Sequence, residues 1–286
     1  MKNLPHLSQR LFNVPLAITP GKAEVVMAAL ADRFGIARLF KANGEVVMLD
    51  SFQVESGPAR ERCYNVVAGV AIIPIEGTLV QKLGTMHPYS GMTGYDGIRA
   101  NLSMALEDED VRAVMLDIDS PGGEVAGCFD LVDAIHAARG DKPIWAILTE
   151  SAYSAAYAIG SAADRILVPR TGGTGSVGTI CLHVDFSKAL SKEGIDVTIF
   201  QYGEYKDDAN QMRPLQKGAA ERIQRDIDFM GELFVDTVAR NRKLKASAVR
   251  STKAATFLGA AGVEIGFADA VMAPDAAFRS LLSELG

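Results

Sequence analysis

From residue 64 onward the apolar positions of the chain change rhythm repeatedly, and each change marks an element. "YNVVAGVAIIPIEGTLV" (64–80) is rich in β-branched residues and ends in a Gly turn, which predicts one or two strands. In "YDGIRANLSMALED" (95–108) the apolar residues recur every three or four positions, as on one face of a helix. The strand "RAVMLDID", the turn "SPGGEVAG", the helix "CFDLVDAIHAARG" and the strand "PIWAILTE" follow in order. Next come a helix of small residues (154–163), the strand "DRILVP", the glycine-rich "RTGGTGSVGTI", the strand "CLHVDF", the helix "SKALSKEG" and the strand "DVTIFQYG". A long amphipathic helix over about 214–243 precedes a short helix at 246–251, the segment "ATFLGAAGVEIG" and a closing helix after Pro274. Strands separated by helices of this length imply βαβ units and a mostly parallel sheet, an α/β fold.

The first 60 residues follow a different pattern. "TPGKAEVVMAALADRFG" opens on Thr19-Pro20, carries apolar residues at helical spacing and stops at Gly35, so one helix with flexible flanks is expected there. The stretch 44–63 is more polar, contains Gly and Pro, and reads as a linker. The division that follows is an accessory segment, 1–60, and a main domain, 61–286. No internal repeat or low-complexity tract interrupts either.

Composition narrows the function classes. With 286 residues, 48% of them hydrophobic, the chain can bury a substantial core. Its net charge is −6 and its basic residues are scattered, which argues against a nucleic-acid partner. Cys63, Cys128 and Cys181 form no CxxC pair, and the four histidines show no HxxxH spacing, so neither a metal site nor a disulfide framework is expected. No apolar run approaches a membrane span, and the N-terminus lacks a continuous apolar signal region. A soluble protein in a reducing compartment, without cofactor, metal or membrane, is the expectation.

Three stretches could carry chemistry. In "DSPGGEVAG", Gly122 and Gly123 lack Cβ atoms and can turn their N–H groups toward a ligand oxygen, as an oxyanion hole requires; a plain strand-to-helix turn shaped by Pro121 is an equal reading. In "ESAYSAAYAIGSAADRI" the side chains shrink where a buried helix would normally carry Leu and Ile. A serine at the start of that helix, Ser154, would stand beside the unpaired N–H of Ala155, half of an acyl-transfer site. Taken alone, the stretch favours the plainer reading, small residues that permit close packing against the sheet, with Ser151 and Ser161 as caps or core hydroxyls. In "QYGEYKDDANQ", Lys206 leaves the sheet among acidic neighbours, where a solvated surface charge is the ordinary role. A lysine serves as a base near neutral pH only when burial or cationic neighbours keep it neutral.

Taken together, "DSPGG" (119–123), "SAYSAAYAIGSAADRI" (151–166), "TGSVG" (174–178) and "GEYKDDAN" (203–210) resemble, in order and spacing over about 65–272, the signal peptide peptidase A family of serine peptidases. "LPHL", "FNVPLAITPGKAEVVMAALA" and "PYSGMTGYDGI" extend the resemblance to the prohead protease branch of that family, over nearly the whole chain. The resemblance implies a ClpP/crotonase-like fold of repeated ββα/βαβ units with a short N-terminal helical extension. It implies a metal-free, ATP-independent endopeptidase with Ser154 as nucleophile, Lys206 as general base and Ser176 orienting the lysine. Gly122, Gly123 and Ala155 are implied to bind the oxyanion. The implied partners are a scaffold protein and the protease itself as substrates, capsid and portal components, and further copies in a ring, inside an assembling prohead in the host cytoplasm. The sequence departs from the family in having Ala155-Ala156 where glycine often follows the nucleophile, and in lacking an N-terminal anchor. Two rival readings are a structural minor capsid protein and a crotonase-type acyl-CoA enzyme.

Overall fold

In the computed structural model, which describes residues 14–19, 22 and 62–286, the strands of the described residues form a nine-stranded mixed sheet. Its centre is β5 (Ala113–Glu124), flanked in parallel by β3 (Val70–Val80) and β6 (Ile144–Ala152). Beyond β6 the parallel order continues through β7 (Arg165–Val168) and β11 (Ala270–Val271). On the other side β2 (Asn65–Val67) makes a hairpin with β3, and β4 (Met92–Gly94) pairs with β3 in parallel. β8 (Gly173–Gly175) and β10 (Thr256–Leu258) form a separate antiparallel pair.

Both faces of the central strands are apolar, as fully covered parallel strands require. Val114, Leu116 and Ile118 of β5 point into the main core with Ile73, Ile75, Ala146 and Leu148. Helices α1 (Tyr95–Glu107), α2 (Cys128–Ala137), α3 (Ala155–Ser161) and α5 (Lys217–Arg242) contribute buried residues to that core; α4 (Ser187–Lys192) contributes none. The alternate residues Ala113, Met115, Trp145, Ile147 and Leu167 meet Ala277 and Leu281 of the C-terminal helix α8 (Pro274–Leu285). Two short helices, α6 (Ala246–Ser251) and α7 (Ala260–Glu264), connect α5 to the far edge of the sheet.

The sequence expectation and the structure part company at four places. "SPGGE" is not a turn: β5 runs on to Glu124, because β3 stays paired with it through Thr78 opposite Gly122 and Leu79 opposite Gly123. Pro15–Ile18, expected as flexible flank, is strand β1, held antiparallel to β5 on one side and to β9 (Ile180–Cys181) on the other. The strand expected over "CLHVDF" reduces to the two residues of β9. The strand expected over "DVTIFQYG" does not form among the described residues: 195–200 have no ladder partner there, and Phe200 is 93% exposed. β-propensity needs a pleated surface to lie on, and that segment finds none among the described residues. The helix expected over 19–35 and the linker over 44–63 lie, but for a few positions, outside the described residues.

Candidate active site

The tip of β6 turns sharply into α3, and Ser154 stands at that turn as the residue before the helix. Its backbone has φ 54° and ψ −122°, a left-handed conformation costly for any residue with a side chain. Backbone bonds hold it there: the Ser154 N–H donates to the Gly175 carbonyl at 2.8 Å, and the Ala158 N–H donates to the Ser154 carbonyl at 2.9 Å. The hydroxyl lies 3.5 Å from the Gly178 carbonyl. Among the described residues no acceptor takes the Ala155 N–H.

The small side chains of α3 now have a structural explanation. Ala155, Ala156, Ala158 and Ala162 are fully buried, and a Cβ on Gly160 would already lie 3.3 Å from Ile118 Cδ1 of the strand beneath. The helix rests so close to β5 and β6 that leucine would not fit. Its far end is closed by Arg139, whose guanidinium donates to the carbonyls of Ser161 (3.0 Å), Ala162 (2.6 Å) and Ala163 (2.6 Å), and by Asn241, which donates to Ser161 Oγ at 2.9 Å. Ser161 is therefore a core hydroxyl, and Ser151 Oγ accepts the Gly173 N–H at 3.1 Å.

The two glycines of β5 differ in what they offer. Gly122 has φ +102°; a Cβ there would overlap the Ala17 carbonyl oxygen and approach Ser154 Cβ and the Tyr153 carbonyl oxygen at 3.0 Å. Its N–H is already donated to Ser120 Oγ at 3.2 Å, while that hydroxyl donates to the Gly77 carbonyl at 2.6 Å. Gly123 has no room for a Cβ against the Leu79 backbone, and beyond the end of β6 it stands opposite Ala17 of β1. Ser120 escaped the sequence reading. Its signal was its place two residues before Gly122, the spacing at which a serine hydroxyl binds the backbone N–H two residues on.

Ser176 also has positive φ (56°), is buried, and donates its N–H to the Ala255 carbonyl at 2.9 Å. Since Gly175 binds the Ser154 N–H, the Thr174–Gly178 segment and Ser154 lie against each other. The structure thus brings together Ser154, Ala155, Gly122, Gly123 and the segment bearing Ser176. Lys206 is not part of this group: it is exposed, on the turn 204–209, and its side chain makes no hydrogen bond to Ser154 or Ser176 among the described residues. No cluster of three or more His, Cys, Asp or Glu suited to a metal ion occurs among the described residues. No helix among them is long and apolar enough to cross a membrane.

Residues 136–285, which contain both the strained Ser154 and Lys206, match Peptidase family S49. The chain belongs to peptidase family S49. This S49 chain is 41% identical over 276 residues to the head-tail preconnector protein GP5 of Enterobacteria phage P21, covering 94% of the chain and 55% of that protein. Identity is 37% over 277 residues to capsid assembly protease C of Escherichia phage lambda, covering 94% of the chain and 63% of that protein. Over 245 residues it is 26% identical to protease 4 of Haemophilus influenzae, covering 85% of the chain and 38% of that protein. The chain therefore spans less than two thirds of the length of these relatives.

Proposed function

We propose that the chain is a serine endopeptidase of phage prohead assembly, with Ser154 as nucleophile and Lys206 as general base. The observation that carries the reading is the placement of Ser154: strained φ, a hydroxyl at the end of β6, and its Cβ against Gly122 of β5, beside Gly123. In the proposed reaction Lys206 Nζ takes the Ser154 hydroxyl proton as Oγ bonds to the peptide carbonyl carbon. The Gly123 and Ala155 N–H groups hold the oxygen that becomes negative. The resulting lysinium protonates the leaving amine as the C–N bond breaks, and the same lysine then deprotonates the water that hydrolyses the acyl-enzyme. Ser176, two residues from the Gly178 carbonyl that faces Ser154 Oγ, is the proposed orienting hydroxyl for the lysine. The ClpP/crotonase-like architecture belongs to the same proposal, supported by the parallel-rich sheet with covered faces.

The proposal includes self-association. Lys206 is exposed in the single chain, and the segment around it exposes Ile195, Val197, Phe200, Tyr202, Tyr205 and Met212, an apolar surface of the kind a second copy covers. Covering it would strip water from Lys206, as a neutral lysine base requires. A ring of copies inside a prohead, acting on scaffold protein and on itself, fits both this surface and the phage proteins to which the chain is similar.

The test is intact-mass analysis after incubation with the scaffold protein of a lambda-type phage, comparing wild type with Ser154→Ala and Lys206→Ala. Wild type alone is expected to produce fragments, each substitution lowering the rate by several orders of magnitude. Near-normal cleavage by either variant overturns the dyad; no cleavage by an assembled, scaffold-bound wild type favours a structural capsid role.

A further inference from the structure

Strand β1 is only four residues long, yet it is thoroughly enclosed: Leu16 is 4% exposed, Ala17 1% and Ile18 6%. It runs antiparallel to both neighbours, with Leu16, Ala17 and Ile18 opposite Glu124, Gly123 and Gly122, and with Pro15 and Leu16 opposite Cys181 and Ile180. Without it, Gly122–Glu124 and Ile180–Cys181 would be two unpaired backbone edges across a gap one strand wide. Buried backbone groups require partners, and an open edge of this kind binds an extended peptide by adding it as a strand.

The register places one atom of β1 on the reaction centre. The Val125 N–H donates to the Pro15 carbonyl (3.3 Å), and the Thr19 N–H donates to the Pro121 carbonyl (3.1 Å). Antiparallel ladders alternate hydrogen-bonded and non-bonded pairs, so between those two bonds Ala17 and Gly123 are the pair that exchange N–H···O contacts. The Ala17 carbonyl therefore lies on the Gly123 amide. It is also the oxygen that a side chain on Gly122 would overlap, in the same space that comes within 3.0 Å of Ser154 Cβ. Ser154 itself is 1% exposed, so no other peptide reaches it while β1 is in place.

We propose that the gap between Gly122–Glu124 and Ile180–Cys181 is the substrate cleft and that Pro15–Ile18 is a built-in occupant of it, excluding substrate until it is displaced. Calling the displaced guest a substrate rests on the endopeptidase reading; the occupancy does not. The cleft takes an extended peptide with a small residue in the place of Ala17, because that side chain is packed into the main core.

The test uses a fluorescein-labelled peptide, FNVPLAITPG, copied from residues 12–21. Its binding is measured to the full chain carrying Ser154→Ala, and to the same chain with Leu16→Asp and Ile18→Asp added to release β1. Affinity is expected to rise at least tenfold on release, the factor by which an occupant filling the cleft nine-tenths of the time suppresses binding. A peptide with Leu in place of its Ala is expected to bind neither. Equal affinity for the two chains, or binding to neither, overturns the proposal. Should the double Asp variant fail to fold, hydrogen exchange on the Ser154→Ala chain decides: the Ala17 and Thr19 amides are expected to be protected and to lose protection as excess peptide displaces them. Amides unprotected at the outset, or unmoved at saturating peptide, overturn it. Peptide binding as expected, with no cleavage by the serine-bearing, strand-released chain once it is assembled, would sink the endopeptidase reading and leave the occupied cleft standing.

Discussion

Arg139→Ala tests whether α3, the helix that Ser154 begins, is held from its far end. Arg139 reaches the three carbonyls of Ser161, Ala162 and Ala163, with Asn241 O a further 3.3 Å from Nη1. A hydrogen bond to a charged group contributes about 1.5–3 kcal/mol, and a cation at a helix C-terminus adds up to about 1 kcal/mol. Three such bonds summed at the low end exceed about 4 kcal/mol, but the Arg139 side chain is 21% exposed, so water can reach some of the abandoned carbonyls. The pairing with Asp164 is long, at 4.0 Å, and partly exposed, and contributes little. The expected loss is about 3 kcal/mol, read from urea unfolding at constant m. Arg139→Lys keeps the charge but offers no planar fork, and is expected to recover at most about a third of the loss. A loss below about 1 kcal/mol for alanine, or full recovery by lysine, would show that the carbonyls at the end of α3 do not depend on the guanidinium.

Other outcomes follow from single sites. Gly123→Ala places a Cβ into the Leu79 backbone, which cannot yield as a flexible side chain would, so loss of folded protein or a drop of at least about 3 kcal/mol is expected; unchanged stability would mean β3 and β5 lie further apart than described. Burial pushes the Cys128 thiol up to about 12 and the Tyr64 hydroxyl up to about 12, the latter with help from Asp108. Unfolded, both ionise nearer their ordinary values, so above about pH 9 the unfolded chain holds fewer protons than the folded one and stability falls as pH rises toward 12. Cys128→Ala should flatten that fall, measured as Tm against pH, and an unchanged slope would contradict the assignment. Phe200→Ser with Tyr202→Ser should leave the stability of the isolated chain within about 0.5 kcal/mol, since both side chains are exposed, while shifting sedimentation toward monomer; unchanged assembly would remove this segment from the proposed interface.

Most of the sheet and its helices were legible because periodicity and burial agree there. The short helix expected at 246–251 forms over those residues, and the long one expected at 214–243 forms over Lys217–Arg242. Illegible elements owe their shape to distant neighbours. "PLAI" is too short to show alternation and begins with proline, and it is a strand only because Gly122–Glu124 and Ile180–Cys181 bond it from both sides. "DVTIFQYG" has strand composition but no edge to join among the described residues, so Val197, Phe200 and Tyr202 face outward. At the candidate site, the sequence pointed to glycines that could turn N–H groups outward but could not separate them. The separation comes from Ser120, which takes the Gly122 amide, while Gly123 pairs with Ala17 of β1.

These departures fall on opposite sides of one physical division. Ser154, Gly122 and Gly123 are fixed by short backbone bonds into the buried sheet, and two residues with unfavourable positive φ, Ser154 and Ser176, are held by backbone partners on Gly175 and Ala255. Strain of about 1–3 kcal/mol per residue persists only where the surroundings over-determine it, and the core around α3 does so. Lys206 lies on the opposite side of the division, on an exposed turn within the segment that leaves its apolar residues uncovered. On the proposed reading a lone chain thus holds a nucleophile and its amide donors ready but lacks a desolvated base, and its cleft is filled by its own strand. Both deficits would be removed by contacts between copies and displacement of β1, so activity should rise more steeply than linearly with protein concentration. A rate per chain that is constant from dilute to assembled protein would mean that Lys206 reaches Ser154 within one chain, and the exposed segment would then need another explanation.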